Sequence, residues 1–388
     1  MKRRRKPSAL RRGNGKGMNL YEKRLSNMYD WMAREGTALV MFEDTEGRRD
    51  KTIRWLTGQP GDALLFLSLE RKCMLVPWDI NLAKVCATAD IIQPYSEYDR
   101  IPRSAIRGAA EKFKIPSGSK IEIPPVTPYP VFLNHVGDLT DFDIICRERS
   151  AVSRAQKFRA VKDEEEIKIY RKAADITNAL TDLLEKNVRS GKIKTEADAA
   201  LFIEVEARRR GCEGTGFGTL AAGPERSWSI HAFPGYTGAA FAGRGLSVLD
   251  FGLKYAGYTT DVTLTFAREP DAPQEKLLSL TEKAYKLALG MVRNGAETKG
   301  IAAAVDAFFA RSKKTMPHAL GHGIGLEEHE DPSLRNRADN AWVLEPGMIF
   351  TLEPGLYDPF HGGCRLENDI LMTEAGPEVL TSARIIRL

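Results

Sequence analysis

Residues 248–266 read VLDFGLKYAGYTTDVTLTF. Two apolar runs flank the turn-forming Tyr255-Ala256-Gly257-Tyr258, the pattern of a β-hairpin. Each arm carries one acid. Asp250 lies inside the apolar run Ser247–Phe251, and Asp261 follows eleven residues later. Folded as a hairpin, the pair would approach across the strands, with β-carbons about 5 Å apart if directly opposed. A second hairpin is expected downstream. The apolar strand Met348–Leu352 ends at Glu353, and Pro354, Pro359, Gly362 and Gly363 supply the turn. Arg365 and Glu367 then share one face of the returning strand, because side chains alternate with period two.

Helical patterns surround these hairpins. Asp163 with Glu166 three residues on has the form of a capping box. Ile167, Tyr170, Ala174 and Leu180 to Leu184 recur at helical spacing, and Gly191 stops the helix. Thr195 and Asp198 open a second helix that ends before Gly211. Two more are expected over Pro273–Asn294 and Thr298–Ser312. Strand-like segments alternate with them: Leu220–Ala222, Leu246–Phe251, Tyr258–Phe266, Met348–Glu353 and Cys364–Met372. Two helix pairs alternating with two strand groups predict an α+β body of two similar halves over residues 163–388. Residues 18–146 read as a smaller α/β domain, with strands at Ala38–Met41, Ala63–Leu69 and Met74–Pro77 and a helix at Tyr21–Arg34. It holds one histidine, His135, and no carboxylate cluster beside it. Residues 147–162 form a polar, charged connector.

Five of the six histidines lie in the second region, and three fall within twelve positions: His318, His322 and His329. His318 and His322 have the i, i+4 spacing of a zinc helix, but Ala319 stands where a zincin needs Glu. Gly321, Gly323 and Gly325 argue against a helix, since each costs about 1 kcal/mol there. The alternate glycines predict an extended, tightly packed backbone instead. If the hairpins converge, Asp250, Asp261, Glu353 and Glu367 meet in an apolar interior with Arg365 as the nearest obvious cation. Burying uncompensated charge is severely unfavourable. Two divalent cations would neutralise four carboxylates. An oxygen-rich set with one imidazole suits Mn2+, and Co2+ or Zn2+ less selectively. Ions roughly 3.5–4 Å apart can share a water and lower its pKa toward neutrality.

The set Asp250, Asp261, His322, Glu353, Glu367 resembles the five-ligand dinuclear site of the methionine aminopeptidase/prolidase/creatinase superfamily, whose catalytic domain has the pita-bread fold. The matching strings are VLDFGLKYAGYTTDVTLTF (248–266), HALGHGIGLEEHE (318–330), IFTLEPGLY (349–357) and CRLENDILMT (364–373). They occur in the family's order and cover residues 150–388. The preceding domain is similar in size and placement to that of creatinase, prolidase and Xaa-Pro aminopeptidases. The resemblance implies a metallo-exopeptidase that cleaves between an N-terminal residue and a following proline, as Xaa-Pro aminopeptidase or dipeptidase, by a metal-bridging hydroxide. It implies Asp250 as a terminal ligand of one metal, His322 and Glu353 on the other, and Asp261 and Glu367 as bridges. Glu353 doubles as proton shuttle, His329 stabilises the tetrahedral intermediate, His231 contacts the substrate amide, and His318 lines the prolyl pocket. Arg365 orients a ligand carboxylate. Tyr357 is a substrate-side candidate, and Arg335 or Arg337 would hold a dipeptide's carboxylate. The family also implies a homodimer. One position departs from its pattern: Leu264 stands where the string D-x-T-R-T-F has Arg. Alternation turns Leu264 away from Asp261, so the departure bears on substrate or subunit contacts. A small-molecule hydrolase or lyase on the same scaffold, as in creatinase or dimethylsulfoniopropionate lyases, and a binding module without catalysis remain alternatives. The intact ligand set weighs against loss of the metals.

Composition agrees with a globular enzyme. Of 388 residues, 43% are hydrophobic and 28% charged, which excludes a disordered or collagenous chain. The longest apolar runs, such as Ala63–Leu69, fall far short of the roughly 18 residues of a membrane span. Five scattered cysteines without a C-x-x-C pair fit reduced thiols and a cytoplasmic setting. The net charge of +5 is local: residues 1–17 hold eight basic side chains and no acid, and taking those eight away leaves −3. This tail reads as a solvated, disordered extension or as an upstream start with Met18 the first residue; nucleic-acid binding is the less favoured reading. No G-x-S-x-G elbow or Walker loop is present. Gly211, Gly214, Gly216 and Gly218 follow a helix, which does not fit a dinucleotide fingerprint.

Overall fold

The computed structural model describes residues 20–388, and the basic tail expected over residues 1–17 lies outside them. The chain divides into two compact units between Phe158 and Arg159, inside the expected connector. That connector contains a helix, Ala151–Arg159. Arg159 and Lys162 at its end are buried. Their polarity alone predicts solvent; what buries them is a shared carboxylate, Glu330, paired with both.

The first unit is built on a six-stranded sheet. Its spatial order is Ile91–Ile92, Lys72–Pro77, Ala63–Ser68, Leu39–Asp44, Lys120–Glu122, Asp143–Ile145. The three central strands are antiparallel neighbours and the outer ones join in parallel. Leu39–Asp44 and Ala63–Ser68 are buried at every position, as strands covered on both faces are. Helices Leu20–Glu35, Pro102–Lys112 and Tyr129–Asp138 accompany the sheet, and Leu39, Phe66, Ile106 and Ile121 share its core.

The second unit has the predicted two halves. Helices Glu164–Arg189 and Glu196–Arg209 carry the capping boxes read from the sequence, Asp163 with Glu166 and Thr195 with Asp198. Their apolar sides pack on a four-stranded sheet ordered Ile385–Arg387, Val262–Arg268, Gly245–Phe251, Leu220–Ala222. Helices Ala272–Met291 and Thr298–Arg311 pack on a five-stranded sheet ordered Glu330–Leu334, Gly321–Gly323, Ile349–Leu352, Asn368–Thr373, Gly376–Val379. The two sheets meet at one backbone bridge, Thr263 to Glu367. Among the described residues, no helix is long and apolar enough to cross a membrane.

Alternation sorts the strand Val262–Arg268. Val262, Leu264 and Phe266 enter the apolar cluster under the helices; Thr263 and Thr265 face the opposite way, where their hydroxyls bond to Glu367 and Arg365. Leu264 is fully buried in that cluster, so the position that departs from the family string faces the apolar core. The first hairpin differs from expectation in register. Asp250 opposes Thr263, not Asp261. The cause is at the tip, where Leu253–Tyr255 and Tyr258–Thr259 leave the main ladder to pair with each other, and Leu253–Tyr255 also pairs with Gly214–Thr215. Tyr258–Phe266 is therefore two strands, broken at Thr260–Asp261. Cys364–Met372 is likewise broken at Leu366–Glu367.

The glycines around His322 are required by close approach. A β-carbon on Gly321 would overlap the Thr351 carbonyl oxygen, and one on Gly323 the Asp331 carbonyl. Backbone atoms cannot swing aside as a flexible side chain can. Gly321→Ala is expected to destabilise the second unit by about 1–3 kcal/mol, the usual cost of overpacking. Thermal unfolding would show the loss, and an unchanged midpoint would contradict this packing.

Candidate metal centre

The four acids sit where ladders begin or stop. Asp250 is the penultimate residue of Gly245–Phe251, Asp261 precedes Val262–Arg268, Glu353 follows Ile349–Leu352, and Glu367 lies in the break before Asn368–Thr373. His322 is the middle residue of Gly321–Gly323. One ligand atom each from Asp261, His322 and Glu367 lies within 4.8 Å of the others. His322 Nε2 is 3.5 Å from Glu353 Oε1 and 3.8 Å from Asp261 Oδ2. Its Nδ1 lies 3.1 Å from the Gly323 carbonyl. A carbonyl only accepts, so Nδ1 carries the proton and Nε2 presents a lone pair to the acids, as a metal ligand must.

Arg365 holds the other side. It is 2% exposed, and Nη2 donates to Asp250 Oδ2 at 2.6 Å. Nε donates to Thr263 Oγ1 at 2.9 Å, and that hydroxyl donates to Glu367 Oε2 at 2.7 Å. Nη1 donates to the Tyr357 hydroxyl at 2.8 Å and to the Ile230 carbonyl at 3.1 Å. Having accepted from Arg365, the Tyr357 hydroxyl donates to His318 Nε2 at 3.0 Å, while His318 Nδ1 donates to the Ala319 carbonyl at 2.8 Å. One guanidinium thus orients Asp250 and, through Thr263, Glu367.

A single cation does not balance four acids. Burial, then the charges of Glu367 and Asp250, push Asp261 well above the usual carboxylate range. Burial and the charge of Glu367 push Glu353 up in the same way. Glu367 is pushed up to about 7 by burial and then by Asp250. Asp250 Oδ1 and Asp261 Oδ1 are buried without a hydrogen-bond partner. Burial lowers the histidines instead: His322 to about 3, His318 to about 4, and His329 below its ordinary value. Carboxylates that cannot ionise unaided, orphaned oxygens and a neutral imidazole with its lone pair inward are the donor set of a hard or borderline divalent cation. These residues fit one.

The remaining candidates separate. The His329 ring lies 4.2 Å from that of His322, centroid to centroid. The adjoining Glu330, buried and paired with Arg159 and Lys162, also accepts the Glu327 amide at 3.1 Å. His231 is exposed on an irregular loop tied in through Ile230. Arg337 is not brought to the centre; it is exposed and paired with Asp339 at 3.2 Å. Arg335 is the nearer cation, and its charge depresses His322, His329 and Glu353. Sequence reasoning missed Thr263, Asp369 and Glu330. Asp369 is fully buried and accepts the Asp261 amide at 3.2 Å. The signal for Thr263 was polar residues recurring at period two in an apolar strand, as in Asp261, Thr263 and Thr265.

Fold and site together describe an α+β protein with a cluster of carboxylates and an imidazole that could hold a metal ion. The profile of metallopeptidase family M24 matches residues 168–374, and the chain belongs to that family. An uncharacterized peptidase of Methanocaldococcus jannaschii is 33% identical over 234 residues, which are 60% of this chain and 66% of that protein. The chain therefore spans just under two thirds of that relative. A dipeptidase from Pyrococcus horikoshii OT3 has a TM-score of 0.79 at 25% identity, covering 94% of this chain and 100% of its own. An X-Pro aminopeptidase from Thermotoga maritima MSB8 has a TM-score of 0.79 at 24% identity, covering 94% and 99%. An Xaa-Pro dipeptidase from Bacillus anthracis has a TM-score of 0.80 at 24% identity, covering 95% and 100%. The last two establish a shared fold. Family membership implies a divalent-metal site.

The buried acids set a pH dependence for the metal-free protein. Glu367 moves from an ordinary 4.5 to about 7 on folding. The folded state thus holds more protons than the unfolded chain across that window, and stability falls as pH rises through it. Asp261 and Glu353 shift the same way. Metal-free protein is expected to melt at a lower temperature near pH 7.5 than near pH 5.5, with Glu367→Gln flattening the difference. A midpoint that rose over this interval in calorimetry would contradict it.

Proposed function

We propose that the chain is a dinuclear metallo-exopeptidase that hydrolyses the bond between an N-terminal residue and a following proline. The observation that carries this reading is the convergence of Asp250, Asp261, His322, Glu353 and Glu367, with orphaned carboxylate oxygens, beside the neutral imidazoles of His318 and His329. Two divalent ions held by these side chains, with Mn2+ favoured by the oxygen-rich set, would polarise the scissile carbonyl and acidify a water.

The chain's own groups do the rest. Glu353, whose proton affinity burial raises, takes a proton from the attacking water and returns it to the leaving prolyl nitrogen. His329 donates to the carbonyl oxygen as negative charge develops there. His231 steadies the amide from its loop. His318 and Tyr357, edge to face with centroids 5.6 Å apart, form a wall for the prolyl ring. Arg365 keeps Asp250 aligned.

Arg335 favours a dipeptide as substrate. It is exposed and makes no ion pair among the described residues, leaving its guanidinium for the free carboxylate of a C-terminal proline. The similarity to a dipeptidase supports the same choice.

With Mn2+ present, Gly-Pro is expected to be cleaved faster than Gly-Pro-Gly. Glu353→Gln is expected to lower kcat by about 10²–10⁴, the range of a lost general base. Arg335→Ala is expected to raise KM for Gly-Pro and leave Gly-Pro-Gly unchanged. Metal-loaded protein inert to both peptides would sink the peptidase reading. Preference for the tripeptide would move the assignment to an aminopeptidase.

A further inference from the structure

Glu196 opens the helix Glu196–Arg209. An acid in the first turn of a helix ordinarily sits in solvent, favoured by the helix dipole. This one is fully buried. It does not cap its own helix, because Thr195 and Asp198 already do so. Its carboxylate turns to another part of the chain. Oε1 accepts the Gly223 amide at 2.7 Å. Oε2 accepts Arg226 Nη1 at 2.5 Å, the Thr237 amide at 2.7 Å and the Thr237 hydroxyl at 2.6 Å.

Gly223 opens the irregular segment 223–244 that carries His231, and Thr237 lies beyond the histidine in it, so the two bracket His231. We propose that Glu196 is a positioning residue that clasps the base of this loop and so sets where His231 meets the substrate. Backbone bonds reinforce the closure: the Glu196 amide donates to Ala239 at 3.0 Å and the Ala197 amide to Thr237 at 2.9 Å. Arg226 extends it by also donating to the Pro234 carbonyl. The far end of the loop is fastened separately. Ile230 accepts from Arg365, and Ser227 Oγ accepts the Gly363 amide at 3.1 Å. Between these ties the loop is open, with Phe233 95% exposed and Trp228 44% exposed. A buried carboxylate with every bond aimed at a loop is costly to disturb, since four donors lose their partner together. None of the five ligand side chains bonds to Glu196, so the metal centre does not depend on it. The loop claim rests on geometry alone; its kinetic consequence rests on the peptidase reading.

The test compares wild type with Glu196→Gln and the milder Thr237→Val, all loaded with Mn2+. Hydrogen–deuterium exchange is followed over residues 223–240 and, as control, over 321–334. Mn2+ affinity is measured by calorimetry, and KM and kcat on Gly-Pro. In Glu196→Gln, exchange is expected to quicken over 223–240 alone and Mn2+ affinity to hold. kcat/KM is expected to fall roughly 10- to 100-fold, mostly through KM, on the scale of a misplaced positioning group. Thr237→Val should show the same pattern more weakly, and it carries the test if Glu196→Gln does not fold. Unchanged exchange over 223–240, or quickened exchange across both segments, would overturn the proposal. A loss confined to kcat, or one of Mn2+ affinity, would also overturn it. If wild type cleaves no Xaa-Pro peptide, the peptidase reading fails, and the exchange data still decide whether Glu196 holds the loop.

Discussion

The second unit is organised around a charge conflict. Asp250, Asp261, Glu353 and Glu367 are forced into one interior by strands whose other faces are committed to apolar cores. Burial first, and then mutual repulsion, raises the proton affinity of three of the four. Arg365 relieves part of the conflict. Its planar fork distributes donors to Asp250, Thr263, Tyr357 and Ile230, a fan that a lysine ammonium cannot reproduce. The residue of unbalanced charge is what a divalent cation answers.

Catalytic and structural demands are divided along single strands. In Val262–Arg268, alternate residues serve the core and the site, so a change such as Leu264 stays in the core while Thr263 and Thr265 keep their bonds. Around His322, glycines allow the backbone to approach Thr351 and Asp331. Glu330 with Arg159 and Lys162 fixes the following turn, which presents His329. The histidines are held by backbone contact and buried pairing, with little left to side-chain freedom.

Much of this was legible in the sequence, for local reasons. Capping boxes at Asp163 and Thr195 marked two helices because the bonds involved span three residues. The four candidate acids stood out because an acid in or beside an apolar strand is conspicuous, and His322 was singled out by the family-like string around it. What escaped depends on distant partners. The register of the first hairpin was misjudged because one arm of its tip, Leu253–Tyr255, pairs with Gly214–Thr215, about forty residues upstream. The strand breaks at Asp261 and Glu367 reflect the meeting of two sheets. Arg335 and Arg337 were equal candidates in the sequence, and the structure pairs Arg337 with Asp339, two residues on. Arg159 and Lys162 read only as part of a polar connector, because their partner Glu330 lies far along the chain.

The bridge between Thr263 and Glu367 is where the sheets of the two halves touch through their backbones, and Glu367 is itself a ligand candidate. Sheet orientation and ligand placement are therefore a single mechanical variable. A rotation of one half against the other bears directly on the Glu367 backbone. Whatever ties Asp250 and Asp261 to His322, Glu353 and Glu367 then acts as a rivet through both plates, and the stiffness of the whole unit is set at its most reactive point.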